Sequence, residues 1–271
     1  MDLKLLKETP PWEWPKDAGT AILAILRDDS AEESDRRLAA EMAGDCTVIN
    51  DDLAEALLTI VSSDAATGEL RSIAAISLGP ALEHADSMGF DDADDVLLSE
   101  EIVVGVQRIL HGLFTDAEAP EDVRRRILEA SVRAPRAWHH DEVRVACAGS
   151  DHGWRRTGAF CMRFVSGFDD EIHEALGSDD AEVHYHAVCA AGNWEVDAAW
   201  SHIADLVASG DTDKSLRLTA IEALAGIRPQ QAVDVLVDLT DLDDDDIVEA
   251  AHEALATASG LSEEDPDESL L

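Results

Sequence analysis

Apolar residues recur along most of this chain at three- and four-residue spacing, the period of a helix with one buried face. Leu53, Ala56, Leu57, Ile60 and Val61 form one such stripe. Ile203, Leu206 and Val207 belong to another, and Val233, Leu236 and Val237 to a third. Alternating strand patterns are nearly absent, so the pattern predicts an all-α chain. Start signals agree with it: Asn50 precedes Asp51 and Asp52, and Ser99 precedes Glu100 and Glu101. Each is an N-cap residue followed by acids that suit the positive end of the helix dipole.

A second kind of helix repeats. Leu70-Arg71-Ser72-Ile73-Ala74-Ala75 is echoed by Val123-Arg124-Arg125-Arg126-Ile127-Leu128 and by Trp154-Arg155-Arg156-Thr157-Gly158-Ala159. Further echoes begin at Val183, Leu216 and Ile247, and a degenerate one at Asp35. The starts at 35, 70, 123, 154, 183, 216 and 247 are mostly 29–35 residues apart, the length of two helices and two turns. One interval is 53 residues long, and its excess lies around 83–99, a stretch rich in Asp and Gly that reads as an inserted acidic loop. Each unit therefore reads as helix A, turn, helix B. One helix pair is too small to bury its own apolar face, so such units must stack.

The echoes resemble HEAT repeats, in particular the short variety of phycobilisome-lyase-like proteins. There helix B opens on an apolar residue followed by Arg and preceded by a turn acid, as in Asp213-Lys214-Ser215-Leu216-Arg217. The resemblance implies a curved α-α solenoid of about seven HEAT-like helix pairs, one domain over residues 1–259. Residues 1–16 read as an N-terminal cap, with Trp12 and Trp14 held by prolines over the first unit. Residues 260–271 read as an acidic disordered tail. The resemblance also places the second echo residue, Arg71, Arg124, Arg155 or Arg217, in a ladder that meets turn acids of neighbouring repeats.

Charge changes the picture. The chain has 20 Lys and Arg against 59 Asp and Glu, a net charge of −39, spread along its length. That distribution fits a protein from a salt-in halophile, because multimolar salt screens the repulsion. Acidity then says little about the partner. The amino terminus lacks an apolar signal-peptide core and no apolar run could span a membrane, so a cytoplasmic protein is expected.

Candidate chemistry is sparse. Cys46, Cys147, Cys161 and Cys189 form no CxxC pair, and Cys161 and Cys189 fall in apolar helical stretches. Deoxyhypusine hydroxylase, a HEAT-like family, holds iron with His-Glu pairs near the start of helix B. Here His173-Glu174 falls in a helix A and His252-Glu253 midway along a helix B. In Trp138-His139-His140 and His184-Tyr185-His186 the adjacent side chains diverge by about 100° and are poor co-ligands. No nucleophile elbow, phosphate loop or dinucleotide fingerprint occurs, and nothing supports a bilin-lyase activity. No catalytic residue, cofactor or metal site is assigned.

One window breaks the acidic pattern: residues 108–163 hold ten Arg against eight acids. The HEAT resemblance implies that B helices line the concave side; beyond the ladder arginines, offsets from Val123, Trp154 and Val183 then put Arg125, Arg133, Arg156, Phe160, Arg163, Tyr185, Gly192 and Asn193 there, with Trp194 just after. Arg and aromatic residues in a concavity suit partner binding, while the same arginines could instead neutralise acids of the chain itself. The expected function is a non-catalytic scaffold whose groove takes an acidic or helical segment of another protein. The rivals are a nucleic-acid binder akin to the HEAT-like alkylpurine DNA glycosylases, for which the window is weakly basic, and a metal-dependent or bilin-lyase-like enzyme.

Overall fold

The computed structural model describes residues 3–92 and 95–260, and the described residues are helices and turns without a strand. The chain divides into two compact units, 1–142 and 143–271. The first holds α1 (Leu3–Lys7), α2 (Ala18–Leu26), α3 (Glu33–Ala43), α4 (Asp51–Val61), α5 (Gly68–Ile76), α6 (Gly79–Met88), α7 (Glu100–Thr115) and α8 (Glu121–Ser131). The boundary falls inside α9 (Ala137–Ala148). The second holds α10 (His152–Cys161), α11 (Asp169–Ala175), α12 (Ala181–Asn193), α13 (Trp200–Ala208), α14 (Lys214–Ile227), α15 (Pro229–Leu239) and α16 (Asp245–Ala258).

Both units are stacks of helix pairs, the α-solenoid arrangement. In the first, α2 packs on α3, α4 on α5 and α7 on α8, while α3, α5 and α8 form a continuous row of B helices. In the second, α11 packs on α12, α13 on α14 and α15 on α16, and the row runs α10, α12, α14, α16. These B helices thus cover both the paired A helix and the neighbouring B helix of their row, and Leu57, Leu70, Ile127, Val188, Ile221 and Leu224 are fully or almost fully buried.

The sequence echo has a physical meaning. All seven echoes begin two residues inside a helix, at its third position. In five of the B helices the N-cap side chain accepts the N–H of that third residue: Thr67 from Leu70, Asp151 from Trp154, Asp180 from Val183, Asp213 from Leu216 and Asp244 from Ile247. The third residue then turns into the core, and Leu70, Val123, Val183 and Ile247 are buried. The Arg that follows reaches back ten residues. Arg71 Nε donates to Val61 O, Arg124 Nε to Phe114 O and Arg217 Nε to Val207 O, each at 2.9 Å, and Arg36 Nη2 reaches Leu26 O at 3.4 Å. These carbonyls end the A helices and have no partner within their own helix. The motif is therefore a double cap: Asp or Thr starts helix B, and Arg closes the C-terminus of helix A, where a cation also suits the dipole. The ladder arginines were expected to meet acids of neighbouring repeats. Arg71, Arg124 and Arg217 bind instead a carbonyl of their own pair, as Arg36 does, and acids are secondary, with Asp29 3.5 Å from Arg36 and Asp64 3.5 Å from Arg71. Arg155 lines a cavity of about 60 Å³ with Cys147, Glu171 and Glu174.

Two segments differ from their sequence reading. The stretch 83–99 is helical as far as Met88, because Ala81, Leu82 and Ala85 of α6 bury a face and the helix packs on α8. Gly89, at φ 69°, ends it in a backbone region that favours glycine. At the amino terminus, Trp14 donates its indole N–H to Leu6 O and Thr9 O, and Leu3 and Leu6 are buried. Trp12 is 78% exposed. The acidic tail lies outside the described residues from 261 onward.

Candidate functional site

The residues singled out from the sequence fall in both units. Arg125 and Arg133 belong to the first. Arg125 pairs with Asp122 one turn earlier on α8. Arg133 lies across the backbone of Gly79, where a Cβ would sit 2.8 Å from its Cδ, and its Nη1 donates to Glu83 at 2.6 Å. It therefore ties α8 to the start of α6. A cavity of about 650 Å³ opens beside it, lined by Lys7, Trp14, Glu41, Met42, Ile76, Pro80 and the exposed Cys46. The offsets along B helices could not reveal this concavity, since it depends on α1 and α6, which lie outside the repeat frame.

Arg156, Phe160, Arg163, Tyr185, Asn193 and Trp194 belong to the second unit, on α10, α12 and the residues just beyond them. The structure joins five of them into one patch. The guanidinium of Arg163 lies over the rings of Phe160 and Phe164, 5.6 and 5.5 Å from their centroids. Phe160 meets His186 edge to face at 5.3 Å, and His186 meets Tyr185 at 5.5 Å. Asn193 Nδ2 donates to Arg163 O at 3.0 Å and Trp194 Nε1 to Met162 O at 2.7 Å. The last two side chains thus cap the end of α10 and hold the Arg163 backbone in place. Gly192, expected in the groove, faces α14 instead. Among the described residues Arg163 makes no ion pair, whereas Arg125, Arg133 and Arg156 each do. His186 is held neutral, its pKa lowered to about 4 by burial and then by the Arg163 charge.

Arg156 sits one turn before Phe160 and is half exposed. Its Nε donates to Asp180 at 2.8 Å and lies 3.4 Å from Glu182. The hydrogen bond from Arg156 is the main reason that the Asp180 carboxyl titrates below its usual range. Because Asp180 is also the N-cap of α12, Asp180→Ala should destabilise the chain by about 1 kcal/mol. Arg156→Ala should cost no more than about 0.5 kcal/mol, since it removes only a solvent-exposed pair. Urea titrations of the two variants check this, and an equal, large loss in both would make Arg156 a strut rather than a surface residue.

The thiols offer no activated nucleophile. Burial raises Cys147 to about 12 and, as the leading cause, also raises Cys46 and Cys189. Cys161 is fully buried, whereas Cys189 is partly exposed. His173-Glu174 lies on α11 and His252-Glu253 on α16, helices of opposite kind, and all four residues are exposed. His184 and His186, separated by one residue, point to different neighbours: His202 and the Phe160–Arg163 patch. Among the described residues no three His, Cys, Asp or Glu side chains form a group able to hold a metal ion. Among the described residues no helix is long and apolar enough to cross a membrane.

Comparison with known proteins follows the geometry. A family model described as HEAT repeats matches residues 170–256, which span α11 to α16. No curated protein matches the chain. An engineered protein of known crystal structure is similar in fold, with TM-score 0.50 and 18% identity over 95% of this chain and 77% of its own. The Escherichia coli protein YibA is similar at TM-score 0.49 and 16% identity, covering 90% of this chain and 83% of its own. Human deoxyhypusine hydroxylase, solved in complex with glycerol, is similar at TM-score 0.41 and 16% identity over 92% and 87% of the two chains.

Proposed function

We propose that this chain is a non-catalytic scaffold that binds an acidic segment of another protein through the B-helix face of its second unit, centred on Arg163. One observation carries the reading. In a chain with 59 acids, Arg163 is held over two phenylalanine rings rather than against a carboxylate. Stacking preserves a guanidinium's planar donor edge, which matches a carboxylate bidentately. Asn193 and Trp194 fix the backbone beneath it, so little ordering entropy would remain to be lost on binding. The net charge of −39 fits a multimolar-salt cytoplasm. There, long-range attraction is screened within about 3 Å, so recognition must rest on short, stacked and desolvated contacts of this kind.

Arg163→Glu should leave the helical content unchanged and weaken partner capture about thirtyfold, the equivalent of a hot-spot loss of about 2 kcal/mol. Affinity purification in multimolar KCl, comparing wild type with the variant, reads this directly. A protein retained equally by both would overturn the proposal. Captured material removed by nuclease would favour the nucleic-acid alternative.

A further inference from the structure

An Arg at the ladder position binds the end of the preceding A helix in four pairs, at 36, 71, 124 and 217, but in α12 the position is His184. The tie is missing here, as it is at Val248 of α16, and the replacement side chain has a different neighbour. His184 Nε2 lies 2.8 Å from Nε2 of His202 on α13, the A helix of the following pair. The ring centroids are 5.0 Å apart and the planes inclined by 67°. Both rings are half-buried. At the 2.8 Å separation of the two Nε2 atoms one ring donates its Nε2–H to the other, so binding one ion through both nitrogens moves the donor ring's proton to its Nδ1.

The geometry points to a divalent transition-metal site at His184 and His202, in which the two Nε2 atoms bind one Zn²⁺, Ni²⁺ or Cu²⁺ and water fills the remaining positions. Two imidazoles bound tetrahedrally at about 2.0–2.1 Å need their nitrogens about 3.3 Å apart. The observed pair must open by about half an ångström, within the reach of side-chain rotation. Neutral nitrogen donors select borderline metals and reject Mg²⁺ and Ca²⁺, which take oxygen. The site differs in kind from the abundant surface carboxylates, and those can be saturated with Mg²⁺ without blocking it. A bound ion would link α12 to α13, restoring between pairs a tie that the missing ladder Arg no longer makes within one.

The test is calorimetric titration of Ni²⁺ and Zn²⁺ into the full chain in high salt with excess Mg²⁺, alongside ¹⁵N spectra of the histidine rings. One equivalent should bind, and the Nε2 signals of His184 and His202 should move. His184→Arg restores the ladder residue and His202→Gln removes the second ligand. Both should weaken binding at least tenfold with unchanged circular dichroism. Absence of a stoichiometric event, equal binding in either folded variant, or unmoved Nε2 signals would each overturn the site.

Discussion

Transferred from multimolar KCl to about 0.1 M, the protein should lose most of its helical ellipticity. The acids outnumber the bases 59 to 20, so most carboxylates have no cation of the chain to face. Local compensation exists and is instructive. Lys214, one of four lysines, sits 2.8 Å from Asp244 and 2.5 Å from Asp246, and it serves a run of four aspartates, Asp243 to Asp246. The remaining charge of that run has to be screened by ions. At 0.1 M salt the Debye length is about 10 Å, comparable to the spacing of packed helices, and at 1 M it is about 3 Å. Repulsion that is silent in high salt therefore acts between neighbouring pairs in low salt, against a stack whose net stability is of the order of 10 kcal/mol. Circular dichroism at 222 nm along a KCl titration should show a cooperative loss, with MgCl₂ protecting at lower concentration. A melting temperature indifferent to salt would remove the argument from charge.

Much of the architecture was legible because one short motif does two mechanical jobs. Asp213-Lys214-Ser215-Leu216-Arg217 announces a helix start through Asp213, a core residue through Leu216 and the end of the previous helix through Arg217. Any chain that reuses this device writes the period into its sequence. The acceptor of the Arg was not legible, because a backbone carbonyl leaves no residue-type signature ten positions upstream. The groove was read from offsets that assume every B helix presents the same face to solvent. Arg163 does lie over Phe160, and Phe160 meets His186, the neighbour of Tyr185. The assumption fails for Gly192, where the close approach of another helix decides the environment. The cavity beside Cys46 escaped because it is built by α1 and α6, elements outside the repeat. The pairing of His184 with His202 was hidden for a related reason: eighteen residues and a helix boundary separate them, and only the fold of one pair against the next brings them together.

Gly192→Val should be among the most damaging single substitutions in the second unit, costing about 3 kcal/mol, the upper end of ordinary overpacking. At this point α12 and α14 approach backbone to backbone. A Cβ on Gly192 would lie 2.6 Å from Ala223 Cα and 2.7 Å from Ala223 Cβ, and one on Gly226 would lie 3.1 Å from Gly192 O. No rotamer relieves such a contact, because the obstacle is main chain and a methyl group rather than a flexible side chain. The helices must separate, and Ala187, Ala190, Ala191, Ala220 and Leu224, all fully buried, then lose part of their packing. In a repeat stack the loss is felt first at the interface it opens, so hydrogen exchange in α14 and α16 should quicken more than in α10. The melting temperature should fall by roughly 6–10 °C for a chain of this size. Gly105 is the control: it also lies inside a helix, α7, but a Cβ there would meet nothing within 4 Å. Gly105→Ala should stabilise the chain by about 0.5–1 kcal/mol through helix propensity and a less flexible unfolded state. If the two substitutions shifted the melting temperature in the same direction and by similar amounts, the close crossing of α12 and α14 would not be what holds the second unit together.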